Sequence, residues 1–190
     1  MTPLQPVNRP NYRQWLLNWG VTVGSVMLCL LLLPARLPGM ELLGIAPNWL
    51  LMWVVAWSVK RSAFEGALAG LVLGLLQDGM TAPYPTHTLG LMLAGILTAR
   101  LQKQRYIQED IVSIALIVFA MAVVTETTMA VQVSLHNLVR ADSLYPSLVE
   151  IWLYHQRVAL SSAILSSLWA PAVYYALSRW WEKHKPFETG

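Results

Sequence analysis

The chain has 190 residues, 56% of them apolar and only 12% charged, with a net charge of +3. Soluble domains carry nearer a quarter charged residues, so this balance excludes an ordinary soluble domain and points to a membrane. The basic residues sit at the ends of apolar runs along the whole chain and form no single patch, which argues against a nucleic-acid partner.

The first apolar run, residues 15–33, holds no ionisable group except Cys29. At 1.5 Å per residue its length matches a hydrocarbon core of roughly 30 Å. A cleaved signal peptide is the rival reading, because Arg9 and Arg13 precede the run. The run exceeds a usual signal core and PARLPG offers no small-x-small site, which favours a retained span. The single cysteine lies inside this span, so neither an intramolecular disulfide nor a cysteine metal site is expected. The second segment, residues 42–59, carries Pro47 and Asn48 near its start. The third, 64–82, runs through Gly66, Gly70 and Gly74 to Asp78. The fourth, 86–99, is short, opens on His87 and contains Gly90 and Gly95. The fifth, 111–133, is apolar until a polar patch at Thr125–Thr128 that includes Glu126. In residues 146–157, Leu148, Ile151 and Trp152 fall at helical spacing beside Glu150, Gln156 and Arg157, which predicts an interfacial helix leading into the last span, 158–178. The expected fold is an all-α integral membrane protein, a six-transmembrane-helix bundle forming one domain over residues 1–190.

With six spans both termini share one side. That side collects Arg9, Arg13, Lys60, Arg61, Arg100, Lys103, Arg105, Arg179, Lys183 and Lys185, against Arg36, Arg140 and Arg157 on the other. The positive-inside rule then places both termini in the cytoplasm. Lys60, Arg61, Arg100, Lys103 and Arg105 are candidate contacts for a cytoplasmic partner, although topology and anionic lipid account for such charges without one.

Gly66, Gly70, Gly74 and Asp78 are four residues apart, so they drift only about 40° per step and share one helix face. Such a face lets a neighbouring helix approach closely, and it directs Asp78 into a helix interface. Gly20 and Gly24 form a weaker instance. Counted from their span starts, Asp78 and Glu126 fall at similar depth, roughly 20 Å from the cytoplasmic entry. Asn48, His87 and Arg157 begin other spans on the same side, so these five side chains form a candidate outer-half polar cluster. An unpaired charge at that depth costs at least about 2.5–3.5 kcal/mol, so partners are required. Architecture is the first role for these carboxylates and recognition of a ligand or partner helix the second. Catalysis is last: no HExxH helix, Cys cluster, GxSxG turn or Walker A loop is present. No catalytic residue, metal site or cofactor is expected.

The ordered set Pro47-Asn48-Trp49, Gly66…Gly70…Gly74-Leu75-Leu76-Gln77-Asp78 and Gly90, with Leu168-Trp169-Ala170-Pro171 before Arg179, resembles the rod shape-determining MreD family. The stretch DGMTAPYPTHTLG resembles its cyanobacterial branch, and Pro83, Pro85 and His87 make a stiffer loop than is usual in the family. The resemblance implies a non-catalytic inner-membrane scaffold of the cell-elongation machinery. Its implied partners are a single-span MreC-type protein, the MreB filament, and RodA with its penicillin-binding transpeptidase. The family's spans also resemble the substrate-binding membrane subunits of energy-coupling-factor transporters, which makes a solute-binding transport subunit the alternative function.

Overall fold

The computed structural model describes residues 12–35, 39–81, 84–103, 110–140 and 147–183. They form six helices: α1 (Tyr12–Leu32), α2 (Trp49–Ser58), α3 (Ala63–Met80), α4 (His87–Lys103), α5 (Ile111–Arg140) and α6 (Leu148–Lys183). Two stretches, Ile111–Val139 and Leu148–Trp181, are long and apolar enough to cross a membrane, while Leu16–Leu32, Trp49–Ser58 and His87–Leu101 are shorter apolar helices.

The centre of the bundle is α2. Leu50, Leu51, Val54 and Val55 are wholly buried and Met52 and Trp53 nearly so, and α2 touches every other helix. The remaining helices pair most closely as α3 with α4 and α5 with α6. Their outer faces are apolar: Leu16, Met27 and Leu31 of α1, Leu68 and Leu75 of α3, and Leu116 of α5 are all exposed. A helix that is apolar all round reads as a buried or membrane element, and these outward side chains stay uncovered by the described residues.

Two departures from the expected layout have clear causes. The segment expected over 42–59 is helical only from Trp49. Pro47 precedes it, and Asn48 caps the helix by accepting the Leu51 N–H at 3.0 Å. Upstream, Leu42 and Ile45 exchange backbone hydrogen bonds of 2.9 and 3.0 Å around a two-residue turn. Leu43 (φ 55°) and Gly44 (φ 77°) both occupy the left-handed region there. Leucine pays about 1–2 kcal/mol for that conformation, whereas asparagine tolerates it. Leu43→Asn is therefore expected to stabilise the chain by about 1 kcal/mol, read as a rise in melting temperature. A fall would mean that the exposed Leu43 side chain makes contacts that outweigh the backbone strain.

The second departure is α6, which runs unbroken through Leu148–Lys183 and absorbs the expected separate helix at 146–157. No Gly or Pro lies between Leu148 and Ala170, so the change from polar to apolar side chains alters the surroundings of the helix without breaking it. Pro171 is accommodated inside the helix. Similarly, α5 continues to Arg140, past the expected end at 133.

On the side of the α2–α3 turn, Ser62 and Glu65 form a reciprocal capping box that starts α3. Trp53 and Trp57 stack at 5.3 Å, and the Trp181 ring meets both edge-on. The Trp53 indole donates to Ser25 Oγ at 2.8 Å and the Trp181 indole to Thr22 Oγ1 at 3.3 Å. This aromatic cluster ties α1, α2 and α6 together at one end.

Candidate functional site

The glycine row is where α3 and α4 touch backbone to backbone. A Cβ built on Gly70 would stand 2.2 Å from the Leu91 carbonyl oxygen, one on Gly74 2.3 Å from Thr88 Cα, and one on Gly66 2.5 Å from the Gly95 oxygen. No side chain fits at those distances. The face is thus filled by α4 of the same chain and offers no surface for a partner's helix. Gly20 and Gly24 of α1 have nothing within 4 Å.

Asp78 closes this seam. Its Oδ1 accepts the His87 backbone N–H at 2.7 Å and stands 2.8 Å from His87 Nδ1, which carries the donating proton in that arrangement. Its Oδ2 accepts the Thr88 hydroxyl at 2.7 Å and the Thr88 backbone N–H at 3.3 Å. The first N–H groups of a helix have no partner within it, and a carboxylate there also meets the positive end of the helix dipole. Asp78 therefore acts as the N-terminal cap of α4, supplied from the end of α3. The following loop is latched to α5: Gln132 accepts the Thr86 N–H at 3.1 Å and donates to the Thr86 oxygen at 3.0 Å, while the Tyr84 hydroxyl donates to the Gln132 carbonyl.

Beyond His87 lies a cavity of about 10 Å³ lined by Asn48, Gln77, His87, Thr125, Glu126 and Met129 among others. Of the five residues expected to cluster, Asn48, His87 and Glu126 share this cavity, and Asp78 reaches it through His87. Arg157 does not join them; its side chain is exposed. The partner of Glu126 is His155, whose Nδ1 stands 3.3 Å from Glu126 Oε2, with both side chains largely buried. Residues 155 and 157 point about 200° apart on a helix, so the turn of α6 that aims His155 inward aims Arg157 outward. His155 also lines a groove of about 320 Å³ between α5 and α6, together with Thr127, Ala130, Trp152, Gln156 and Ala159.

His155 and Gln77 are the site residues that local sequence reading missed. Gln77 is adjacent to Asp78 but faces the core, and a lone histidine beside Gln156 and Arg157 carries no signal of its own. On the basic side, Arg61 pairs with Glu65 at 3.4 Å and lies over the Trp57 ring at 4.2 Å. Lys60 and Arg100 are exposed, the Lys103 side chain and Arg105 lie outside the described residues, and among the described residues no group of three His, Cys, Asp or Glu is placed to hold a metal.

The site is thus a set of helix-to-helix clasps on an apolar bundle. The family model for rod shape-determining protein MreD matches residues 14–172, which include every one of these clasps. No curated protein matches the chain. With the match covering most of its length, the chain belongs to the MreD family, membrane proteins with a role in rod-shape determination.

Proposed function

We propose that this chain is a non-catalytic scaffold subunit of the cell-elongation machinery, linking a single-span MreC-type protein and the peptidoglycan synthases, RodA and its transpeptidase, to the cytoplasmic MreB filament. The observation that carries the reading beyond the family match is how the inward polar groups are used. Asp78 spends both oxygens on the start of α4, and the cavity beside it is about 10 Å³. That is the space of about one water molecule, whereas small-molecule sites run to roughly 300–1,000 Å³. A solute pocket built on Asn48, Asp78, His87 and Glu126 is thus replaced by a clasp, and the groove of about 320 Å³ between α5 and α6 is the place left for the alternative, a solute-binding subunit of the energy-coupling-factor type.

In this reading the chain crosses the inner membrane six times with both termini in the cytoplasm. The second pass combines α2 with the irregular stretch before it. Irregular backbone is tolerated at membrane depth only where protein satisfies it. The Asn48 N–H, donating to Ser166 Oγ of α6 at 2.9 Å, supplies one such bond. Because α4 covers the glycine row, the partner's transmembrane helix takes another face of the bundle. Lys60, Arg61 and Arg100 face the cytoplasm, where they meet anionic lipid and the filament.

Untargeted co-purification from native membranes in mild detergent tests this. MreC, RodA and the transpeptidase are expected with the chain, and depletion is expected to turn rods into round cells. Recovery of energy-coupling ATPases in their place, with cell shape unchanged on depletion, would replace the scaffold by the transport subunit.

A further inference from the structure

The cavity between α2, α3, α4 and α5 has a composition that its protein contacts do not account for. Gln77 is 6% exposed and its Oε1 is buried with no protein hydrogen-bond partner. A buried acceptor left that way costs roughly 1–3 kcal/mol, so it calls for a donor. The neighbouring groups are already engaged in ways that leave complementary valences. Asn48 Oδ1 is taken by the Leu51 N–H, which leaves its amide NH₂ as the free end. The Thr125 hydroxyl donates to the Met121 and Ala122 carbonyls, so it turns only lone pairs outward. Glu126 uses Oε2 for His155, and His87 uses Nδ1 for Asp78.

We propose that this cavity is a binding site for one water molecule, which joins Gln77 and Asn48 to the Glu126–His155 pair in a single hydrogen-bonded network that links the start of α2 with α3, α5 and α6. A water fits the demand of the walls: its two O–H groups serve acceptors such as Gln77 Oε1 and the Glu126 carboxylate, and its lone pairs take a donor such as the Asn48 amide. The space, about 10 Å³, sits at the threshold for one water, and two to four polar partners are what such a water requires. A metal cation fits poorly. Calcium asks for six to eight oxygen ligands and magnesium for near-octahedral geometry, and the walls bring few oxygens that are not already committed.

The network gives the groove between α5 and α6 a connection to the α3–α4 seam. His155 lines that groove, Glu126 lies behind it, and the water carries the contact on to Gln77 of α3. A change on the groove side of α6 is thereby felt at Gln77, the residue before the cap Asp78 in α3. The inference concerns this chain's own residues and holds whichever partner binds the bundle.

Solid-state NMR of the full chain in liposomes, with glutamine side chains ¹⁵N-labelled, reads transfer of magnetisation from water to the Gln77 amide. A water-to-Gln77 cross-peak is expected in the native chain, and its absence overturns the site. The link is tested by a double-variant cycle of Gln77→Met and Glu126→Gln, two residues that no direct hydrogen bond joins. The Glu126 change is isosteric, so packing alone gives no coupling. The folded-to-unfolded ratio of the double variant, read by SDS titration, is expected to depart roughly threefold or more from the product of the single effects. A multiplicative result with the cross-peak present would leave a bound water that joins nothing and would overturn the network. Should Gln77→Met fail to fold, the cross-peak in the native chain still decides the site, and Asn48→Ser, which keeps a helix-capping oxygen and removes the amide donor, takes the place of Gln77→Met in the cycle.

Discussion

Gly70→Ala is expected to remove most of the folded protein, while the same exchange at Gly20 or Gly24 leaves it intact or slightly stabilised. The added methyl at position 70 would stand 2.2 Å from the Leu91 oxygen, 2.5 Å from the Leu91 carbonyl carbon and 2.7 Å from Met92 Cα. All three are backbone atoms of α4, so no side chain can rotate away and the helix itself must retreat. Carbon atoms attract best at about 3.5–4.0 Å, which sets the scale of the displacement. The retreat would open the Gly66–Gly95 contact, where each glycine's Cβ position also falls within 2.5 Å of the other's carbonyl oxygen. It would also draw His87 and Thr88 away from Asp78. Overpacking costs typically 1–3 kcal/mol and sometimes more, and a clash with rigid backbone belongs at the upper end. Alanine is the better helix former by roughly 1 kcal/mol, which offsets part of the cost at position 70 and is the whole effect at positions 20 and 24. One substitution thus changes sign with its surroundings. Size-exclusion yield and melting temperature in detergent check it, and a Gly70→Ala chain that melts with the native one would mean that the two helices are not in backbone contact.

That seam was legible because a four-residue spacing is a local property. The row Gly66, Gly70, Gly74, Asp78 marks one face without knowledge of the partner, and it sends Asp78 into an interface. The identity of that interface was not legible, since glycines serve any neighbour equally well. Hydropathy read residues 42–59 as one span because it registers apolar side chains and is blind to backbone. The left-handed turn at Leu43–Gly44 and the Asn48 cap are backbone events. The stretch before the last span misled in the opposite way: its polar side chains suggested a separate element, while nothing in it breaks a helix. Pairings across the fold left least trace. Asn48 meets Ser166 118 residues away and Glu126 meets His155 29 residues away. Its place at the start of the last span put Arg157 in the expected cluster, and the helical phase of α6 turns His155 inward in its stead.

Asp78→Ala is the second large effect expected. The side chain is 13% exposed and holds two backbone N–H groups, one hydroxyl and one imidazole. Removing one partner from a buried charged arrangement costs about 3–5 kcal/mol, here because two orphan donors of α4 and the His87 ring lose their acceptor together. Against a typical total stability of about 5–15 kcal/mol this is a large fraction. Asp78→Asn should fall between, since its carbonyl oxygen still accepts the His87 N–H while its amide repels the Thr88 donors. Glu126 supplies the comparison. It is an equally buried carboxylate, yet its hydrogen-bonded side-chain partner is His155 at 3.3 Å, which leaves a neutral amide able to accept in its place. Glu126→Gln is therefore expected to cost no more than about 1 kcal/mol. The ranking separates architecture from recognition. If Asp78 holds the fold, yield and melting temperature drop in the order Asp78→Ala, Asp78→Asn, Glu126→Gln, and partner capture falls only in step with them. If Asp78→Ala folds normally and loses its partner, the carboxylate reads another molecule and its grip on α4 is incidental.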